Sequence, residues 1–248
     1  MILEMRKEVE LFIPCLMDQL CPDTAFNTVK LLEKAGCKVI YNPQQTCCGL
    51  PAYHAGFWDE AKKVGLHFLK NFGAEKYIVS PSASCTGMVR KGYNDLFTNS
   101  TEHNKCRSIQ RHIFEISDFL VNVLKQEYFG AELVGTAVYH DSCSALRACY
   151  IKEEPRKLLS HVGGLEIREM RAQETCCGFG DTFSIKFEGI SAAMAAQKIK
   201  NAQAVQADYI ISTDVSCLLQ LQAYINKHHI PIKTIHLVDV LTSGWANI

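Results

Sequence analysis

The sequence has no long apolar run. Its longest, such as Tyr77-Ile78-Val79, are strand-length, whereas a helix that crosses a bilayer needs about 20 consecutive apolar residues. No membrane span is expected, and any membrane association would be peripheral, through a partner. Charge of a dominant sign is also missing: Lys+Arg and Asp+Glu are each 26. A balanced chain without a basic stripe argues against a nucleic-acid partner, and the lack of like-charge runs argues against a charged, disordered tail. There is no Gly-x-Gly-x-x-Gly fingerprint and no P-loop, so no nucleotide site is indicated. The opening residues Met1-Ile2-Leu3-Glu4-Met5-Arg6-Lys7-Glu8 carry too much charge for a secretory leader. A cytoplasmic protein is expected.

What the chain does have is cysteine. Twelve occur among 248 residues, 48% of which are hydrophobic, enough for a substantial core. In a reducing compartment disulfides are disfavoured, and clustered thiols more often ligate metal or carry redox chemistry. Their placement follows an internal repeat. Gln44-Gln45-Thr46-Cys47-Cys48-Gly49 returns as Gln173-Glu174-Thr175-Cys176-Cys177-Gly178. In the first copy, Cys15 precedes the pair by 31 residues (16–46) and Cys85 follows it after 36 (49–84). In the second, Cys143 precedes by 32 (144–175) and Cys217 follows after 39 (178–216). The segments Ile113–Leu120 and Thr234–Leu241 also share an apolar pattern and an Asp. Two halves are expected, residues 1–130 and 131–248, with no Ser- or Pro-rich linker between them.

Short β-rich runs alternate with helical patterns in both halves. The spacing predicts strands at Val9–Ile13, Lys38–Tyr41, Lys76–Val79 and His112–Glu115, then at Ala137–His140, Glu166–Glu169, Tyr209–Ser212 and Lys233–His236. It predicts helices over Asp23–Ala35, Tyr53–Phe72, Pro155–Val162, Gly189–Ala202 and Val215–Lys227. Such alternation specifies an α/β fold with mainly parallel sheets. All eight motif cysteines then fall beyond the carboxyl ends of strands, where open α/β sheets bind ligands. Helices beginning there would aim N–H groups at thiolates.

Four thiols per half fit soft metals. Adjacent cysteines point apart, which suits a cluster of separated irons better than one zinc, and a [4Fe–4S] cluster takes four Cys. The expected ligands are Cys15, Cys47, Cys48 and Cys85, then Cys143, Cys176, Cys177 and Cys217, for two [4Fe–4S] clusters; zinc in one half is the alternative. Cys21 and Cys149 each lie six residues past the first motif cysteine, as extra ligands or as residues packed inward. Cys37, in a strand, and Cys106, in a polar loop, read as buried small hydrophobes or inert surface thiols. His54 and His140 could deliver a proton beside a cluster, but a strand-end histidine is more often a satisfied structural group. Arg90, Arg147 and Lys186 could offset cluster charge or be ordinary surface charges.

At these motifs the chain resembles the cysteine-rich Cys-Cys-Gly domain family. That family includes the disulfide-cleaving component of heterodisulfide reductase and the iron–sulfur components of glycolate oxidase and anaerobic glycerol-3-phosphate dehydrogenase. The resemblance is carried by Phe12-Ile13-Pro14-Cys15, Thr46–Tyr53, Ser80–Cys85, Tyr139–Cys143 and Thr175–Ser184. It implies an oxidoreductase subunit that needs partners: the iron–sulfur subunit of an L-lactate-oxidising complex, passing electrons to companion iron–sulfur subunits and a respiratory acceptor. The disulfide-cleaving members have a fifth cysteine in each motif; here Ser82 and Asp214 stand at those positions. That departure disfavours a thiol/disulfide reductase, which remains an alternative beside a zinc-binding scaffold.

Overall fold

A computed structural model describes residues 6–245; residues 1–5, part of the stretch read as unlike a leader, lie outside the described residues. Eight strands form two four-stranded sheets in which every pairing is parallel. The first holds β1 (Lys7–Leu11), β2 (Cys37–Tyr41), β3 (Tyr77–Ser80) and β4 (Ile113–Glu115) in the order β2-β1-β3-β4. The second repeats it with β5 (Glu132–Tyr139), β6 (Gly163–Ile167), β7 (Tyr209–Ser212) and β8 (Lys233–His236), ordered β6-β5-β7-β8. This order has a mechanical consequence. The chain leaves β1 toward one side and β3 toward the other, opening a crevice beyond their carboxyl ends. The same holds for β5 and β7.

The central strands β3 and β7 are apolar on both faces because both faces are covered. Leu11 points into one core and its neighbour Phe12 into another. The first of these cores is common to both sheets: Leu11, Leu31 and Phe119 pack with Tyr139, Leu158 and Leu237. The outer faces have separate cores, around Phe12, Phe68 and Phe97 in one half and Val138, Ile199 and Leu221 in the other. Polar bonds close the seam between the halves. Thr24 Oγ1 and Asn27 Nδ2 donate to the Asp239 carboxylate at 2.7 and 2.9 Å. Buried Asp214 accepts from the Ser84 N–H at 2.8 Å, from Ser82 Oγ at 3.2 Å and from Ser142 Oγ.

All eight expected strands form, and the differences lie at their edges. The single helix expected over Tyr53–Phe72 is two, Leu50–His54 and Trp58–Asn71. Gly56, at φ +85°, turns the chain between them, and Phe57, which the helical spacing placed inside, is exposed. The helix expected over Pro155–Val162 is Glu153–Leu159, and Gly163-Gly164 just beyond it begins β6. Cys106 is buried on the helix His103–His112, not in a polar loop, and Cys37 is buried in β2.

Two outcomes are expected. Asp214→Ala leaves three donors without their acceptor and should lower unfolding free energy by about 1–3 kcal/mol in chemical denaturation. Glu115 is fully buried, and desolvation pushes its carboxyl up to about 8, against bonds from Ser117 and Asp118 that favour the charge. The folded carboxyl therefore keeps a proton that the unfolded chain releases, so stability falls as pH rises from about 4.5 to about 8. Glu115→Gln should flatten that decline, measured as Tm against pH.

Candidate metal centre

The loops after β1, β2 and β3 bring together thiols that are remote in sequence. Cys15 contacts Cys47, Cys47 contacts Cys48, and Cys48 contacts Cys85. In the second half Cys143, Cys176, Cys177 and Cys217 form the same chain of contacts. All are free thiols, graded from the outside in: Cys15 is exposed, Cys47, Cys143 and Cys176 are half-buried, and Cys48, Cys85, Cys177 and Cys217 are buried. Local geometry builds each group. Gly49 and Gly178, at φ +89° and +93°, turn the chain so that their N–H groups point at the sulfurs of Cys47 and Cys176, each at 3.4 Å. A side chain at either glycine would press on the following helix: a Cβ at Gly178 would lie 2.6 Å from the Ser191 carbonyl. The Tyr93 hydroxyl, buried beneath, donates to the Cys48 carbonyl at 3.1 Å.

Electrostatics follow from this crowding. Bonds from the thiols of Cys15 and Cys48, with the Gly49 N–H, pull Cys47 down to about 3. Bonds from Cys143 and Cys177 pull Cys176 down to about 2. The donors move the other way: Cys15, Cys48, Cys143 and Cys177 are all raised, first by donating hydrogen bonds to that central thiolate, which keeps their protons on, and further by burial. Each group thus holds one negative charge readily and resists a second. A metal supplies the positive charge that lets the remaining thiols ionise. Four soft donors, a shared anionic charge and inward N–H groups fit an iron–sulfur cluster or a thiolate-bound metal.

The surroundings of the two groups differ. The first lines a pocket with Pro14, Leu50 and Pro51, and the second half contributes Asp181, Val215 and Ser216 to its wall. Asp181 is held there by His54 Nδ1 at 2.6 Å. Beside the second group stands His140, read from sequence as a satisfied structural group. It is fully buried, yet neither ring nitrogen has a hydrogen-bond partner among the described residues. Its ligand atom and the sulfurs of Cys177 and Cys217 lie within 4.8 Å of one another. Lys198, unremarked in the sequence, is buried nearby and donates to the carbonyls of Ala172 and Gln173.

The remaining candidates are occupied elsewhere. Cys21 joins two helices and packs on the shared core; Cys149, buried beside Ala145 and Ile151, offers its thiol to the Ala83 carbonyl at 3.4 Å. Arg90 ties the Ile113 and Cys149 carbonyls to Asp118. Asp141 forms a two-point ion pair with Arg156 at 2.8 and 2.9 Å. The Arg147 carbonyl accepts from Lys91, and Lys186 is exposed.

The fold and the doubled thiol group define a class: tandem α/β units, each presenting cysteines at the carboxyl edge of a parallel sheet. The family model described as a cysteine-rich domain matches residues 9–90 and 137–222, one match on each half. The chain belongs to this cysteine-rich Cys-Cys-Gly family, among the lactate utilization A proteins. It is 39% identical over 240 residues to lactate utilization protein A 2 of Bacillus cereus (strain Q1), covering 96% of this chain and 99% of that one. It is 40% identical over 237 residues to lactate utilization protein A of Geobacillus sp. (strain WCH70), covering 95% and 99%. A hypothetical protein from Helicobacter pylori shares the fold at TM-score 0.63 and 13% identity; the match covers 97% of this chain and half of that one.

The low-lying thiolates make a direct expectation. In metal-free protein, an alkylating reagent at pH 5 should label Cys47 and Cys176 ahead of the other cysteines, because only thiolates react and both are partly exposed. Cys15→Ser should move Cys47 labelling to higher pH. Peptide mass mapping reads both.

Proposed function

We propose that this chain is the iron–sulfur electron-transfer subunit of an L-lactate-oxidising system, carrying electrons released on conversion of lactate to pyruvate toward a respiratory acceptor. Two paired four-thiol groups, one at each sheet's carboxyl edge, carry this reading. The substrate assignment follows the names of the lactate utilization A relatives. Cys15, Cys47, Cys48 and Cys85 would hold one [4Fe–4S] cluster in residues 1–130. Cys143, Cys176, Cys177 and Cys217 would hold another in residues 131–248. A bound cluster of this kind stores and releases single electrons.

The chain's own residues set the conditions. The Gly49 and Gly178 N–H groups would stabilise sulfur-borne negative charge. Burial of Cys48, Cys85, Cys177 and Cys217 keeps solvent from the inner ligands. Companion iron–sulfur subunits of the complex would meet the outer cysteines, Cys15 and Cys143. No described helix is long and apolar enough to cross a membrane, so we place the chain in the cytoplasm with at most peripheral membrane contact. Ser82 and Asp214 bond to each other where disulfide-cleaving relatives carry a fifth cysteine, which favours electron relay over disulfide chemistry.

The test is purification without oxygen, followed by iron, sulfide and zinc analysis and EPR in both redox states. About eight irons and eight sulfides per chain are expected. Replacing Cys47 and Cys48 by Ser should halve that content. Zinc without sulfide would overturn electron transfer and leave a scaffold protein.

A further inference from the structure

The two halves repeat their thiols but not what lies behind them. Phe12 and His140 occupy the same position: the Phe12 N–H donates to the Val79 carbonyl, and the His140 N–H donates to that of Ile211. Those acceptors are equivalent, because Leu11 pairs with Val79 as Tyr139 pairs with Ile211. A second position differs in parallel. Gly49 abuts Ala61 and Val64, as Gly178 abuts Ser191 and Met194. One helical register therefore matches Phe68 with Lys198. In the first half, Phe12 and Phe68 meet edge to face, with ring centroids 4.9 Å apart, and close the floor with hydrocarbon. In the second half, an imidazole and an ammonium take the same two places.

An imidazole buried without partners is costly, since a polar group taken from water must recover its hydrogen bonds or bind something else. Neither His140 nitrogen makes a well-formed hydrogen bond among the described residues, with only the Gln173 backbone beside the ring, and it faces Cys177 and Cys217 within 4.8 Å. We propose that His140 is a metal ligand of the second thiol group, binding together with Cys177 and Cys217, so that the second centre has nitrogen–sulfur ligation and the first has sulfur alone. The assignment rests on the reading that the thiol groups bind metal. The ring is fully buried against Cys177 and Cys217, so one of its nitrogens is positioned to bind a metal held by those sulfurs. Lys198 lies near the same thiols, donating to the Ala172 and Gln173 carbonyls, although burial pushes its ammonium down to about 8. An imidazole is neutral where a cysteine at the same place would add a thiolate, and a less negative ligand set raises a cluster's reduction potential.

The experiment uses the full-length, anaerobically isolated protein with and without 15N-histidine, and reads nitrogen coupling to the reduced centres by pulsed EPR. The expected result is a directly bound nitrogen on one of two centres. It should be lost in His140→Phe, the residue that the first half carries at this position, with the other centre's signal intact. A second variant, His140→Cys, keeps a donor: it should retain its metal, lose the nitrogen coupling and be reduced at a lower potential. No bound nitrogen in the parent protein, coupling that survives either substitution, or an unchanged potential in His140→Cys would overturn the assignment. A protein holding only zinc would sink the electron-transfer reading, yet cobalt exchanged into the site still reports whether a nitrogen of His140 is bound.

Discussion

Sulfur can be crowded, but negative charge cannot. Four thiols in contact share one charge easily, and each further ionisation must be matched by a positive centre or by aimed N–H groups. Much of the architecture serves that constraint. The parallel sheet sends its strand ends to one edge. The strand order opens a crevice there, and glycines at positive φ let the second loop turn its N–H groups onto the central sulfur. The pull on Cys47 and Cys176, and the opposite push on their neighbours, is the same electrostatic pattern written twice.

The halves are not independent beads. One apolar core runs beneath both sheets, and Asp214 gathers donors from the loops of both halves at the positions next to the thiols. The second half also lends Asp181 to the wall of the first half's pocket. Ser82 and Asp214, one from each half, bond to each other and help hold the halves together.

Duplication followed by divergence accounts for the unequal floors. The thiols and glycines are held by chemistry common to both groups. The residues behind them need only fill space in one half, as Phe12 and Phe68 do, and can acquire polar character in the other, as His140 and Lys198 have.

Much of this was legible in the residues alone. The repeat of Thr-Cys-Cys-Gly with its flanking cysteines sets the number of thiol groups and their membership, because near-equal spacing places equivalent residues at equivalent strand ends. Period-two and helical patterns locate all eight strands and the longest helices, since local hydrophobic periodicity follows directly from backbone geometry, but not shorter ones such as His103–His112. What local pattern cannot carry is partnership across distance. Gly56 breaks a helix whose apolar spacing runs on unbroken, Gly163-Gly164 starts a strand because β5 offers it hydrogen bonds, and Cys106 is buried by elements far away in sequence. Whether His140 finds a partner is of the same kind. A strand-end histidine is ordinary until the tertiary structure shows that nothing among the described residues bonds to it and that two thiols stand opposite. Sequence determined the ligand types and their repeat, and the tertiary structure alone decided which groups are left unsatisfied, because satisfaction depends on neighbours that the chain order does not name.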